Sequence, residues 1–301
     1  MQFDDDAQLD TSQVSDQRGM GGRLAVGGGG LGIVGLIIYF VISQLGGGDV
    51  LPSGAGFGDV SSDQQVGSND IGEKCQTGAD ANREADCRAV AFINSIQAYW
   101  GDAFQGSNRD YREAQTTFFS DSVQTGGCGG ASSAAGPFYC PADSEVYIDL
   151  NFFTELRSRF GATGGPFVEG YVLAHEYGHH VQNLLGTSER VQPGEGPKSG
   201  SVRLELQADC YAGVWANHAE NTPTSSGKPL ITGVTQADVN AALDAASRIG
   251  DDYIQRELGG GKVDTTQFTH GSSSQRQKWY TTGYRTGDPN QCNTFQTNDL
   301  G

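Results

Sequence analysis

The sequence predicts an α+β domain, mostly helical with a small sheet, preceded by one transmembrane helix. Three observations predict it. Apolar residues recur at helical spacing in separated runs between Asp80 and Ile249. Val146, Ile148 and Leu150 alternate with polar neighbours, the two-residue period of a half-buried strand. Leu24 to Gly48 carries no charge at all, and Leu31 to Leu45 is strongly apolar.

With 301 residues the chain can bury one core of ordinary size and still carry appendages. Its 45 glycines gather at 19–35, 46–58, 126–136 and 259–261 without a fixed period, which means linkers and loops, not a collagen-like rod. A formal charge of −17 repels phosphate backbones, so no nucleic acid partner is expected.

Taken in order, residues 1–23 hold Asp4, Asp5, Asp6, Asp10 and Asp16 against Arg18 and Arg23, with almost no apolar periodicity. They are expected to form a disordered acidic tail. Residues 24–45 then suffice to cross a hydrocarbon core of roughly 30 Å at about 1.5 Å per residue. No basic leader or small-residue cleavage site accompanies them, so the expectation is a retained single-pass anchor in the cell membrane, not a signal peptide. Arg18 and Arg23 precede the span and the next positive residue is Lys74, which predicts a cytoplasmic N-terminus and an extracytoplasmic domain. Residues 46–72 have the composition of a Gly/Ser-rich linker, and the folded domain is expected at 73–301.

Within that domain, Asp80 to Phe104 reads as a helix whose Ala89, Phe92, Ile93, Ile96, Tyr99 and Trp100 form a core face. A short apolar piece follows at Thr117 to Val123, then a Gly/Ser/Ala loop and the strand at 146–150. Phe152 to Phe160 is a short amphipathic helix ending at Gly161, and Gly164-Gly165-Pro166 resets the chain.

The stretch Phe167 to Gly186 carries His175-Glu176-Tyr177-Gly178-His179. Residues four apart share one helix face, so His175 and His179 can aim both imidazoles at one tetrahedral Zn²⁺. Glu176 sits about 100° round from His175, off the ligand direction but able to reach a water on the open side, as a general base does. A second helix from about Ser201 to Asn217 carries Glu205 and Asp209, again four apart; one can reach the metal while the other stands a turn behind. The strand at 146–150 is either an edge to which an extended peptide could pair or simply structural. Thr235 to Ile249 begins with a capping-box pattern and looks like scaffold. His270 has no helical partner histidine, and its residues alone do not decide between a structural and a functional role.

Six cysteines lack any C-x-x-C, and an even count in an extracytoplasmic segment favours disulfides. Cys75 with Cys87 and Cys128 with Cys140 would close short loops, leaving Cys210 to hold the C-terminal tail through Cys292; free buried cysteines are the alternative.

Arg18-Gly19-Met20-Gly21-Gly22, Gly136-Pro137-Phe138-Tyr139-Cys140-Pro141, His175-Glu176-Tyr177-Gly178-His179-His180-Val181-Gln182, Glu205-Leu206-Gln207-Ala208-Asp209-Cys210 and Thr269-His270-Gly271 together resemble the bacterial neutral zinc metallopeptidase family, single-pass membrane proteins with a zincin domain. H-E-x-x-H followed by E-x-x-x-D is more distantly similar to gluzincin membrane peptidases of the HtpX and CAAX-processing type. That similarity implies Glu205 as third zinc ligand and Asp209 as the acceptor orienting a ligand imidazole. It also implies that His270, followed by Arg276, helps stabilise the oxyanion, with Gly271 standing where those relatives have proline. The expectation is a membrane-anchored zinc-dependent endopeptidase with a zincin-like domain, acting on peptides or proteins. The alternative is a zinc-stabilised cell-surface binding or assembly module without catalysis.

Overall fold

The computed structural model describes residues 1–19 and 69–301. The transmembrane helix expected at 24–45 and all but the last residues of the linker expected at 46–72 lie outside them. Among the described residues no helix is long and apolar enough to cross a membrane.

The helices are α1 (Asn69–Lys74), α2 (Gly78–Arg83), α3 (Ala85–Gly106), α4 (Phe152–Ser158), α5 (Pro166–Leu184), α6 (Gly200–His218), α7 (Gln236–Arg248) and α8 (Ser273–Thr286). The strands are β1 (Gln2–Phe3), β2 (Val14–Asp16), β3 (Gln115–Phe118), β4 (Ser122–Gln124), β5 (Gly130–Ser132), β6 (Phe138–Cys140), β7 (Glu145–Ile148) and β8 (Ile231–Thr232). A mixed sheet runs in the order β2-β3-β7-β6, parallel except for the β6–β7 pair. Two small antiparallel ribbons, β1–β8 and β4–β5, complete the strands described.

Start signals place the helices that matter. Gly165 occupies a positive-φ position that a side chain would resist, and Pro166 at the first position of α5 supplies the φ a helix needs. Ser199 caps α6 by accepting from the Val202 amide, Thr235 and Asp238 form the expected capping box of α7, and Ser272 with Gln275 forms another for α8. One core gathers the inner faces of α3, α5, α6, α7 and α8, with Phe92, Phe167, Tyr171, Trp215 and Tyr280 fully buried in it. α6 and α8 meet backbone to backbone: a Cβ on Gly213 would strike the Tyr280 carbonyl, and one on Gly283 the Cys210 carbonyl. Three disulfides, Cys75–Cys87, Cys128–Cys140 and Cys210–Cys292, follow the expected pairing. The last spans 82 residues and fastens the chain's end to α6.

Four expectations are corrected. The helix expected to run unbroken from Asp80 is interrupted at Glu84, whose extended backbone separates α2 from α3. The strand around 146–150 is real but not an edge. β7 lies between β3 and β6, and Val146, Tyr147 and Ile148 are all buried, so it cannot take up a peptide; β6 is the strand on the outer side of the sheet at that end. The domain does not begin at residue 73, because α1 already starts at Asn69.

The largest correction concerns the acidic tail. Residues 2–16 supply β1 and β2 and bury Phe3, Ala7, Gln13 and Val14. Two asparagines hold this segment as a neighbouring strand would. Asn82 accepts from the Phe3 amide and donates to its carbonyl, both at 2.9 Å, and Asn94 does the same for Asp10 at 2.8 and 2.9 Å. Arg18 pairs with Asp16 and with Asp86 of α3 and lies over the Phe118 ring. Residues 1–19 and 69–301 are therefore one packed body, whose parts share one side of any membrane. This sets a condition on the expected anchor, because an N-terminus and a catalytic domain on opposite faces cannot also share a sheet.

Candidate metal centre and active site

His175 and His179 project from one face of α5, their rings perpendicular and 4.9 Å apart between centroids. Glu205 reaches them from α6: one carboxylate oxygen lies 3.2 Å from His175 Nε2, the other 3.4 Å from His179 Nε2. Crossing of the two helices brings this about. Gly178 has no side chain, and a Cβ there would come within 2.9 Å of the Ala208 backbone of α6. Without that close approach a glutamate one turn earlier on α6 could not touch both imidazoles.

The donor set fits a zinc ion. Bonds of about 2.0–2.1 Å in a tetrahedron put donor atoms about 3.3 Å apart. The two histidine–carboxylate spacings, one to each oxygen of Glu205, are close to that length, and one potential ligand atom from each of the three residues lies within 4.8 Å of the other two. Only this trio and the disulfide-linked Cys75–Asp86–Cys87 group bring potential ligands so close among the described residues. Three protein ligands leave a tetrahedron one corner short, the arrangement of a catalytic site and not of a closed structural one.

Each imidazole is oriented from behind. His175 Nδ1 donates to Asp209 at 2.9 Å, and His179 Nδ1 donates to Gln182 at 2.9 Å, which leaves both Nε2 atoms for the metal. Asp209 is wholly buried and also accepts from the Tyr171 hydroxyl at 2.7 Å and from Arg276 through two nitrogens at 2.8 and 2.9 Å. Burial alone would raise the Asp209 carboxyl, but Arg276 and His175 outweigh it and hold it at about 2. Gln182 is fixed in turn by donating to the Leu204 carbonyl and to Gln207.

A cleft of about 750 Å³ opens over the trio, and Glu176, His270 and Arg276 share its lining with the three ligands. Glu176 is 8% exposed, and burial pushes its carboxyl up from the ordinary range against the pull of the two imidazoles. His270 stands outside the ligand trio on the loop before α8. Asp251 holds that loop by accepting from the amides of Thr269, His270 and Gly271 at 2.7–2.9 Å, and it faces His270 Nδ1 at 3.3 Å. Burial opposes charge on His270, but Glu205 and Asp251 outweigh it and raise its affinity for a proton. His180 donates to the Arg112 carbonyl at 2.6 Å and accepts from Tyr139 of β6 at 3.1 Å, tying the sheet to α5.

All the residues singled out in the sequence thus surround one cleft, with Asp209 behind it. Sequence reasoning missed Tyr171, Gln182 and Asp251. The first two were findable, since Tyr171 is four before His175 and Gln182 three after His179, on the ligand face. Asp251 follows a helix end and carries no local signal.

The model of the family described as "putative neutral zinc metallopeptidase" matches residues 4–295. An uncharacterized protein of Mycobacterium tuberculosis, Rv2575, is 51% identical over 230 residues, covering 76% of each chain. Uncharacterized protein YpfJ of Escherichia coli K12 is 36% identical over 296 residues, covering 95% of this chain and 96% of its own. No solved structure matches the chain. The match of nearly the whole chain, strand β2 included, identifies it as a member of the neutral zinc metallopeptidase family, whose cofactor is Zn²⁺.

Proposed function

We propose that this chain is a zinc-dependent endopeptidase working outside the cytoplasm at the membrane surface. The observation that carries the reading is the convergence of His175, His179 and Glu205, with potential ligand atoms within 4.8 Å of one another and a buried glutamate beside them in an open cleft. Zinc held by His175, His179 and Glu205 supplies a Lewis acid there, lowering the pKa of a water to about 7 and polarising a peptide carbonyl.

The remaining steps belong to the chain's own side chains. Glu176 takes the proton of the attacking water and hands it to the leaving amine. A carboxyl raised by burial suits that exchange, because it binds a proton more readily than an ordinary glutamate does. His270, steadied by Asp251, donates a hydrogen bond to the carbonyl oxygen as it gains charge. Asp209 keeps His175 in the tautomer that leaves Nε2 free. Among the described residues Arg276 is the one non-histidine cation on the cleft lining, and Asp209, Tyr171 and the Ile249 carbonyl already engage it. Among those residues no free Lys or Arg is therefore offered to a terminal carboxylate, which favours internal cleavage over removal of C-terminal residues.

Location belongs to the same proposal. Three disulfides suit an oxidising compartment, and the uncharged stretch 24–45 supplies an apolar attachment between residues 1–19 and 69–301, which belong to one packed body. The test compares wild type with Glu176→Gln on an unbiased peptide library. The variant is expected to keep stoichiometric zinc and lose cleavage by about 10²-fold or more. Equal cleavage by both proteins removes Glu176 from the mechanism.

A further inference from the structure

The two ends of the cleft differ in chemistry. Toward the N-terminal half of α5 its wall is made by Phe152, Phe160, Val172, Ile249 and Ile254, all part of or packed against the main hydrophobic core. Phe160, Val172 and Ile254 are 4%, 5% and 9% exposed, so this end is recessed. Toward the C-terminal end of α5 the lining includes the polar Gln182, Asn183, Ser188, Glu189 and Gln192, of which Gln182 is buried while Glu189 and Gln192 are exposed.

Position adds to composition. Val172 precedes His175 by three residues on the same helix face, about 4.5 Å along the axis. Consecutive Cα atoms of a peptide are about 3.8 Å apart. A residue whose neighbouring carbonyl sits over the trio is therefore within reach of Val172. No uncompensated charge waits there, because the Arg276 guanidinium is already spent on Asp209, Tyr171 and the Ile249 carbonyl. The chain's net charge of −17 would suggest a taste for basic peptides, but this wall carries no carboxylate of its own.

We infer that the recess formed by Phe152, Phe160, Val172, Ile249 and Ile254 is a specificity pocket that selects a large aliphatic or aromatic side chain immediately beside the scissile bond. The inference rests on the endopeptidase reading for what happens after binding, but the pocket itself can be tested without turnover. Removing such a side chain from the substrate leaves apolar wall in contact with water, and placing a lysine there buries an unpaired ammonium.

The experiment uses the full chain carrying Glu176→Gln and loaded with zinc. Its affinity is measured for three otherwise identical peptides with Leu, Ala or Lys at one central position, while wild type is profiled on a peptide library. Leu is expected to bind about ten- to a hundredfold tighter than Lys, with Ala between. The wild-type profile should show the same preference at one position flanking the cleaved bond. Val172→Phe and, from a different element, Ile249→Phe fill the recess, and each that keeps wild-type thermal stability should reverse the order of Leu and Ala. Leu-selective binding without cleavage by wild type would leave the pocket standing and remove the peptidase reading. Cleavage with no apolar preference on either side of the bond would do the opposite. Equal affinity for the three peptides, including no measurable binding of any, overturns the pocket.

Discussion

His180 shows how a single side chain can set a pH dependence. Its ring is 1% exposed and bonded on both nitrogens, and burial lowers its pKa below the ordinary 6.5 despite the Arg112 carbonyl. The unfolded chain therefore binds its proton at a higher pH than the folded one. Its contribution to stability is present above about pH 6.5 and is lost as pH falls from there through the folded value. Each unit of separation corresponds to about 1.4 kcal/mol. His180→Asn should flatten the fall in melting temperature between pH 7 and pH 5, and parallel curves for the two proteins would contradict this assignment. At this scale the sequence was most legible where helical period alone fixes direction, as for His175, Glu176 and His179. Glu205 and Asp209 could be named as a pair, but which of them faces the metal depends on how Gly178 lets α5 close on Ala208, a contact between elements. Asp251 was invisible because it acts on backbone amides 18–20 residues away.

Helix contacts carry the next level. α6 bears Glu205 on one side and rests on α8 through the other, so the ligand is only as well placed as that glycine-lined seam. Gly283→Ala should drive a methyl group into the Cys210 carbonyl. Overpacking of this kind costs about 1–3 kcal/mol, and more where backbone must move. Thermal unfolding is expected to show that loss, together with weaker zinc retention as Glu205 shifts. An unchanged melting temperature would mean that the two helices can separate freely. The α5, α6 and α7 starts were readable because proline, serine and threonine signals sit at their first positions. Of the two readings of 146–150, edge or structural strand, the structural one holds, and the sequence could not choose because alternation reports burial on one face only. β7 is covered on both, and strand order is decided by which neighbours pair, not by the strand's own residues.

The whole molecule depends on a segment that composition hid. Residues 1–19 look like an acidic tail because the groups that order them, Asn82, Asn94 and Asp86, lie far along the chain and act through backbone and charge rather than apolar pattern. Their place in the sheet predicts that Asp6→Cys and Lys262→Cys, both at exposed positions, react alike with a membrane-impermeant maleimide on intact cells. Labelling of one and protection of the other would show that the strands do not pair within one chain. The helices, sheet and N-terminal strands together bring two imidazoles and a carboxylate within 4.8 Å of one another, close enough to hold one zinc ion. Zinc-edge X-ray absorption on the purified protein tests that most directly. The predicted result is one zinc per chain bound by two imidazole nitrogens and one carboxylate, with a non-protein oxygen completing the shell. Absence of stoichiometric zinc, or a fourth ligand from the protein, would contradict it.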